Sequence, residues 1–114
     1  MVQVTQPFVH HCLPIRDRNG HKGTFGKVHI LAGSVGFTGA PALASEAAVR
    51  TGSGLVSLSV PQEIWPVLAV KCQEAMPAPV PPYPELLEKM NQSDSVLIGP
   101  GLGRSRATDV RTCH

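Results

Sequence analysis

With 114 residues, a formal net charge of +2, 42% hydrophobic and 16% charged residues, the chain suits one small domain, whole or in part, and is too apolar for a disordered tail. Arg16, Arg18, Lys22 and Lys27 are scattered among glycines without interleaved aromatics, a pattern that excludes nucleic acid as the indicated partner. Three cysteines at unrelated spacings, Cys12, Cys72 and Cys113, make neither a disulfide framework nor a CxxC pair, and no stretch approaches a membrane span or a signal peptide; the expected setting is the cytoplasm, away from membranes.

Residues 1–24 mix prolines, glycines and charges and read as an arm or linker. Within them His10, His11 and Cys12 are adjacent, a spacing that does not converge on a metal as CxxC or HxxxH does. "VHIL", residues 28–31, is an apolar β-rich run of the kind covered on both faces in a parallel sheet. His29 inside it reads as a packed or edge histidine.

The loop "GSVGFTGA" follows, then an alanine-rich helix over residues 41–51, with Pro41 early and Gly52 just past its end. Its small side chains permit close packing on a sheet. A second strand covers residues 54–60 and a second helix residues 62–71, opened by Pro61. Residues 75–85 hold five prolines, each without an N–H donor, and are expected to be an extended connection rather than an interior helix or central strand. A short helix at 84–90 and a strand at 95–98 lead directly into "GPGLGRS".

The order βαβαβ predicts an α/β fold with right-handed crossovers, and ligands in such sheets bind where the strands end. Both glycine loops are therefore expected at the same edge. Neither is a standard phosphate loop. "GTFGKV" has Val28 where a Walker A motif needs Ser or Thr, and Gly33, Gly36 and Gly39 are spaced GxxGxxG rather than GxGxxG. What remains is backbone: Gly39 and Ala40 open a helix whose N–H groups can meet a phosphate or amide, or else the glycines serve only a tight turn. Lys22 and Lys27 flank "GTFG" and are candidates to approach a phosphate, although solvated lysines are commoner. No carboxylate lies inside either loop as a general base would, and Ser34 and Ser105 lack a histidine and acid arrangement. The loops are equipped to bind and not to catalyse.

The motifs HKG (21–23), GS (33–34), TGA (38–40), RxGxG (50–54) and GPGLG (99–103), preceded by LPIR (13–16), occur together in this order. In them the sequence resembles the ADP- or ATP-dependent NAD(P)H-hydrate dehydratases of the ribokinase-like superfamily. The resemblance implies a three-layer αβα fold with a mostly parallel sheet, of which only the first part is present: an arm (1–24), the N-terminal part of the domain (25–105) and a divergent tail (106–114). It implies dehydration of the S-epimer of hydrated NADH or NADPH at the expense of ADP or ATP with Mg2+, in a nicotinamide nucleotide repair reaction. Small-molecule nucleotides are the implied partners, with a homo-oligomeric full-length form and fusion to an NAD(P)H-hydrate epimerase domain in bacteria.

By the same resemblance Ala40 and Gly101 match positions that touch the hydrated dinucleotide, and Gly39 and Gly103 shape those contacts. The family's HPGE segment, its nucleotide-binding lysine and its GTGD loop with the catalytic aspartate have no counterpart in the 114 residues. Neither a catalytic residue nor a metal ligand is thus assigned, and the chain alone is expected to be inactive. Two other readings stand beside this one, a small-molecule kinase of the same superfamily and a non-catalytic nucleotide- or dinucleotide-binding module.

Overall fold

The computed structural model describes residues 1–13, 20 and 25–103. Eight elements follow in chain order: α1 (Gln6–Cys12), β1 (Lys27–Leu31), α2 (Gly39–Arg50), β2 (Leu55–Val60), α3 (Trp65–Lys71), β3 (Met76–Pro79), α4 (Tyr83–Asn91) and β4 (Ser95–Ile98). The strands form one sheet in the order β3-β2-β1-β4, every neighbouring pair parallel.

Period-two alternation divides the sheet's two faces. Ile30 on β1 and Val56, Leu58 and Val60 on β2 point one way, and form the larger core with Ile64 and with Leu68 of α3; Ala42, Ala44, Ala48 and Val49 of α2 pack against it. Leu31 points the other way and meets Leu86 of α4 and Leu102. Helix layers on both faces of a parallel sheet are the three-layer αβα arrangement that the family resemblance implies.

Helix α2 ends as its sequence requires. Gly52 takes a φ of 110°, its N–H donates to the Val49 carbonyl and that of Ser53 donates to Ala48. This is the Schellman pattern, in which a left-handed glycine lets the chain turn back over the last carbonyls.

Two elements go beyond the expected set. The arm carries a helix, α1, capped by the Thr5 hydroxyl accepting the Phe8 N–H at 3.3 Å. The cap starts the turn, although none of the helix is buried. The proline-rich connection also contains a strand, β3, at the sheet edge. Pro77 and Pro79 are two residues apart, so both missing donors face away from β2, while the Val80 N–H donates to the Val60 carbonyl at 2.9 Å. Edge placement is what makes that composition tolerable. Among the described residues no helix is long and apolar enough to cross a membrane.

Candidate functional site

Strands β2 and β3 lie successively to one side of β1, whereas β4 returns to the other side. The connection leaving β1 runs through α2 on one face, and the connection entering β4 runs through α4 on the opposite face. The carboxyl ends of β1 and β4 therefore flank a topological switch point, where helices part and leave a crevice. Both glycine loops leave the sheet there.

Each loop is a tight turn with glycine third. Phe37 N–H donates to the Ser34 carbonyl at 2.8 Å across Gly36, and Leu102 N–H donates to the Gly99 carbonyl at 3.1 Å across Gly101. Gly36 and Gly101 have φ of 89° and 68°, the left-handed backbone that the third position of a type II turn needs, and Pro100 supplies the preset second position.

The turns are joined. Gly33 N–H donates to the Pro100 carbonyl at 2.8 Å, and the Ser34 hydroxyl donates to the Gly101 carbonyl at 2.7 Å. A side chain begun on Gly101 would stand 3.1 Å from Ala40 Cβ and 3.4 Å from Phe37 Cβ, and one begun on Gly103 would stand 3.4 Å from Ser34 Oγ. Gly33 is also closed to larger residues, with Ile64 Cδ1 at 2.9 Å and Pro41 Cγ at 3.0 Å from its missing Cβ. Ala40, Gly101 and Gly103 are thus brought together. Gly39 stands beside Ala40 in the first turn of α2, with open space where its side chain would be.

Among the described residues the start of α2 carries no side-chain cap at Thr38, and no acidic residue lies in the first turn. The Thr38 hydroxyl instead accepts from Lys71 Nζ at 2.9 Å. The positive end of a 12-residue helix, with the Lys71 ammonium beside it, gives the crevice a positive rim. Sequence alone does not mark Lys71, which comes from the end of α3, 33 residues from Thr38. No local signal marks such a contact.

Other candidates fall elsewhere. Lys27 opens β1, at the end of the sheet opposite the loops, where its backbone N–H donates to Asp94 Oδ2 at 2.8 Å. Residues 21–24 with the HKG motif and Lys22, and Ser105 with the tail, lie outside the described residues. Ser34 is a latch between turns. Arg50 of the RxGxG motif is an exposed ion-pair partner of Glu46 at 2.9 Å.

His29 is packed, as read from sequence. The residue is 2% exposed, with Nδ1 2.8 Å from Ser57 Oγ and Nε2 3.0 Å from Ser59 Oγ. Burial, with a smaller contribution from the Lys89 charge, holds its pKa below the usual histidine range. Both ring nitrogens are engaged away from the loops, so the histidine serves the sheet.

Among the described residues no three His, Cys, Asp or Glu side chains are grouped to hold a metal, and neither glycine turn contains a carboxylate. These residues do not fit a protein-held Mg2+. A separate groove of about 340 Å³ between α2 and the α3–β3 connection, lined in part by Ser45, Glu46, Lys71 and Cys72, includes neither glycine turn. The candidate site is the switch-point crevice, where the two glycine turns and the α2 terminus converge.

The comparisons bear on the same segment. A family model described as NAD(P)H-hydrate dehydratase matches residues 28–111. The bifunctional NAD(P)H-hydrate repair enzyme of Moorella thermoacetica is 42% identical over 84% of this chain, which covers 20% of that protein. The ADP-dependent (S)-NAD(P)H-hydrate dehydratase of Listeria monocytogenes is 36% identical over 90% of this chain and 37% of its own length. Among solved structures, the ADP/ATP-dependent NAD(P)H-hydrate dehydratase of Bacillus subtilis, co-crystallized with ATP/Mg2+, superposes with a TM-score of 0.75 at 28% identity, over 96% of this chain and 40% of its own. A ribokinase-like superfamily protein from Enterococcus faecalis superposes with a TM-score of 0.78 at 26% identity. The chain spans two fifths or less of the length of these relatives.

Proposed function

Since this chain belongs to the NAD(P)H-hydrate dehydratase family, we propose that its paired glycine turns form one wall of a site for the S-epimer of hydrated NADH or NADPH, in an enzyme that dehydrates it at the expense of ADP or ATP. The approach of Ala40 to Gly101 at the switch point carries this reading. It leaves a shallow, side-chain-poor surface against which a bulky ligand can lie close to the backbone. Gly39 keeps the adjoining helix terminus open, and Gly103 lets the second turn pass Ser34.

The chemistry implied is kinase-like. The ring hydroxyl oxygen takes a phosphoryl group from the nucleoside di- or triphosphate and loses its proton. Phosphate then leaves with the C–O bond electrons while the adjacent carbon loses a proton, restoring the double bond and giving NAD(P)H, inorganic phosphate and the shortened nucleotide. In that sequence the wall orients the hydrated ring, and the α2 terminus with Lys71 offsets phosphate charge. Neither a general base nor a carboxylate is present in the described turns, so these residues bind and do not turn over. Mg2+ belongs to the reading as a companion of the nucleotide phosphates. The homo-oligomeric form and the fusion to an epimerase domain belong to the same reading.

The test has two arms. Calorimetry with the 114-residue chain should show saturable binding of hydrated NADPH, and an assay with ADP or ATP should show no dehydration. Absence of binding overturns the wall. Turnover comparable to that of the longer relatives overturns the reading of these residues as binding only.

A further inference from the structure

Phe37 is 61% exposed and Leu43 70%, and with Ala40 they occur three residues apart along the chain from the first turn into α2. Apolar side chains held in water contribute nothing to this core, and such exposure is informative when it borders a site. Phe37 is held at that border by its own backbone. Its N–H closes the Ser34 turn, and its Cβ and carbonyl oxygen each stand 3.4 Å from the point where a Gly101 side chain would begin. The aromatic ring is therefore carried on a fixed stem beside the Ala40–Gly101 wall.

We propose that Phe37 is the ring platform of this site, packing against one of the two rings of the bound dinucleotide. The inference rests on the dinucleotide reading above. A dinucleotide presents two ring systems joined by phosphates, and the crevice presents a matching pair of features: a positively charged rim at the α2 terminus and, immediately before its N-cap Thr38, the exposed aromatic side chain of Phe37. Both the purine and the unsaturated amide portion of the hydrated nicotinamide ring offer a flat face to a phenyl ring, so the shared chemistry is ring-on-ring packing. Glycine at 101 is what lets the second turn pass this close to Phe37, because a Cβ there would stand 3.1 Å from Ala40 Cβ and 3.4 Å from both Phe37 Cβ and the Phe37 carbonyl oxygen.

The experiment is calorimetry on the 114-residue chain and its Phe37→Ala, Phe37→Tyr and Val70→Ala variants, with hydrated NADPH, hydrated reduced nicotinamide mononucleotide and ADP-ribose as probes. Phe37→Ala should weaken hydrated NADPH by roughly threefold to tenfold. Phe37→Tyr should restore it, and Val70→Ala, at a residue 84% exposed on α3, should change nothing. The half-ligand whose affinity falls with Phe37→Ala identifies the ring. Unchanged affinity in Phe37→Ala, with binding intact in the unmodified chain, overturns the platform and leaves the proposed function standing. Loss for the whole dinucleotide with neither half affected also overturns it. Failure of the unmodified chain to bind overturns both. The melting temperature of Phe37→Ala should match that of the unmodified chain, and a fall typical of a core truncation overturns the platform by making Phe37 structural.

Discussion

The hydroxyl of Ser34, after β1, donates to the carbonyl of Gly101, after β4, at 2.7 Å across 67 residues of sequence. It is a side-chain bond from one turn to the other. Ser34→Ala removes the donor and leaves a part-buried carbonyl, which should cost about 1 kcal/mol in denaturant unfolding. Affinity for hydrated NADPH should fall with it, because the wall loses its register. Unchanged stability and affinity would show that the backbone bond from Gly33 to Pro100 suffices.

Gly101→Ala and Gly39→Ala separate strain from contact. At Gly101 the φ of 68° and the neighbours at 3.1 and 3.4 Å should make alanine destabilising by about 1–2 kcal/mol and should block ligand approach. Gly39 is helical with open space around it, so alanine there should leave stability equal or slightly higher. Loss of hydrated NADPH binding in stable Gly39→Ala then reports a ligand contact directly. Thermal melts and calorimetry on the two variants check both halves.

His29 makes folding pH-dependent in a stated direction. Its folded-state pKa is lowered from 6.5, so below that value the unfolded chain binds a proton more readily than the folded one. The stability from the neutral buried ring is complete above 6.5 and is lost as pH falls from there through the lower folded value. The denaturant midpoint should therefore drop between pH 7.5 and 5, and His29→Leu should flatten that slope. An NMR titration of the His29 ring with a midpoint above 6.5 would reverse the sign.

Among the described residues no strand pairs the outer edge of β4, and Val96, Leu97 and Ile98 are each about two fifths exposed (39%, 41% and 43%). Unpaired strand edges with apolar faces template association. Light scattering of the 114-residue chain should show concentration-dependent growth, and Leu97→Lys should reduce it several-fold by placing charge on the edge. Monodisperse behaviour of the unmodified chain at high concentration would contradict this.

Helix α2, the apolar strands β1 and β2, the glycine turns and the resemblance of TGA and GPGLG to one family are written locally, in the periods of apolar residues and in backbone positions that glycine alone takes easily. The sequence alone therefore determined an α/β order, two loops at strand ends, and Ala40, Gly39, Gly101 and Gly103 as the residues to watch. The tertiary structure decided the rest, since strand order is set by which apolar faces find cover and which edges find partners. Only that non-local choice puts β4 beside β1 and makes a switch point of the two loops. It also sends the proline-bearing β3 to the edge where its missing donors do no harm, seats His29 between two serines of β2, and brings Lys71 from α3 to Thr38 at the mouth of the site.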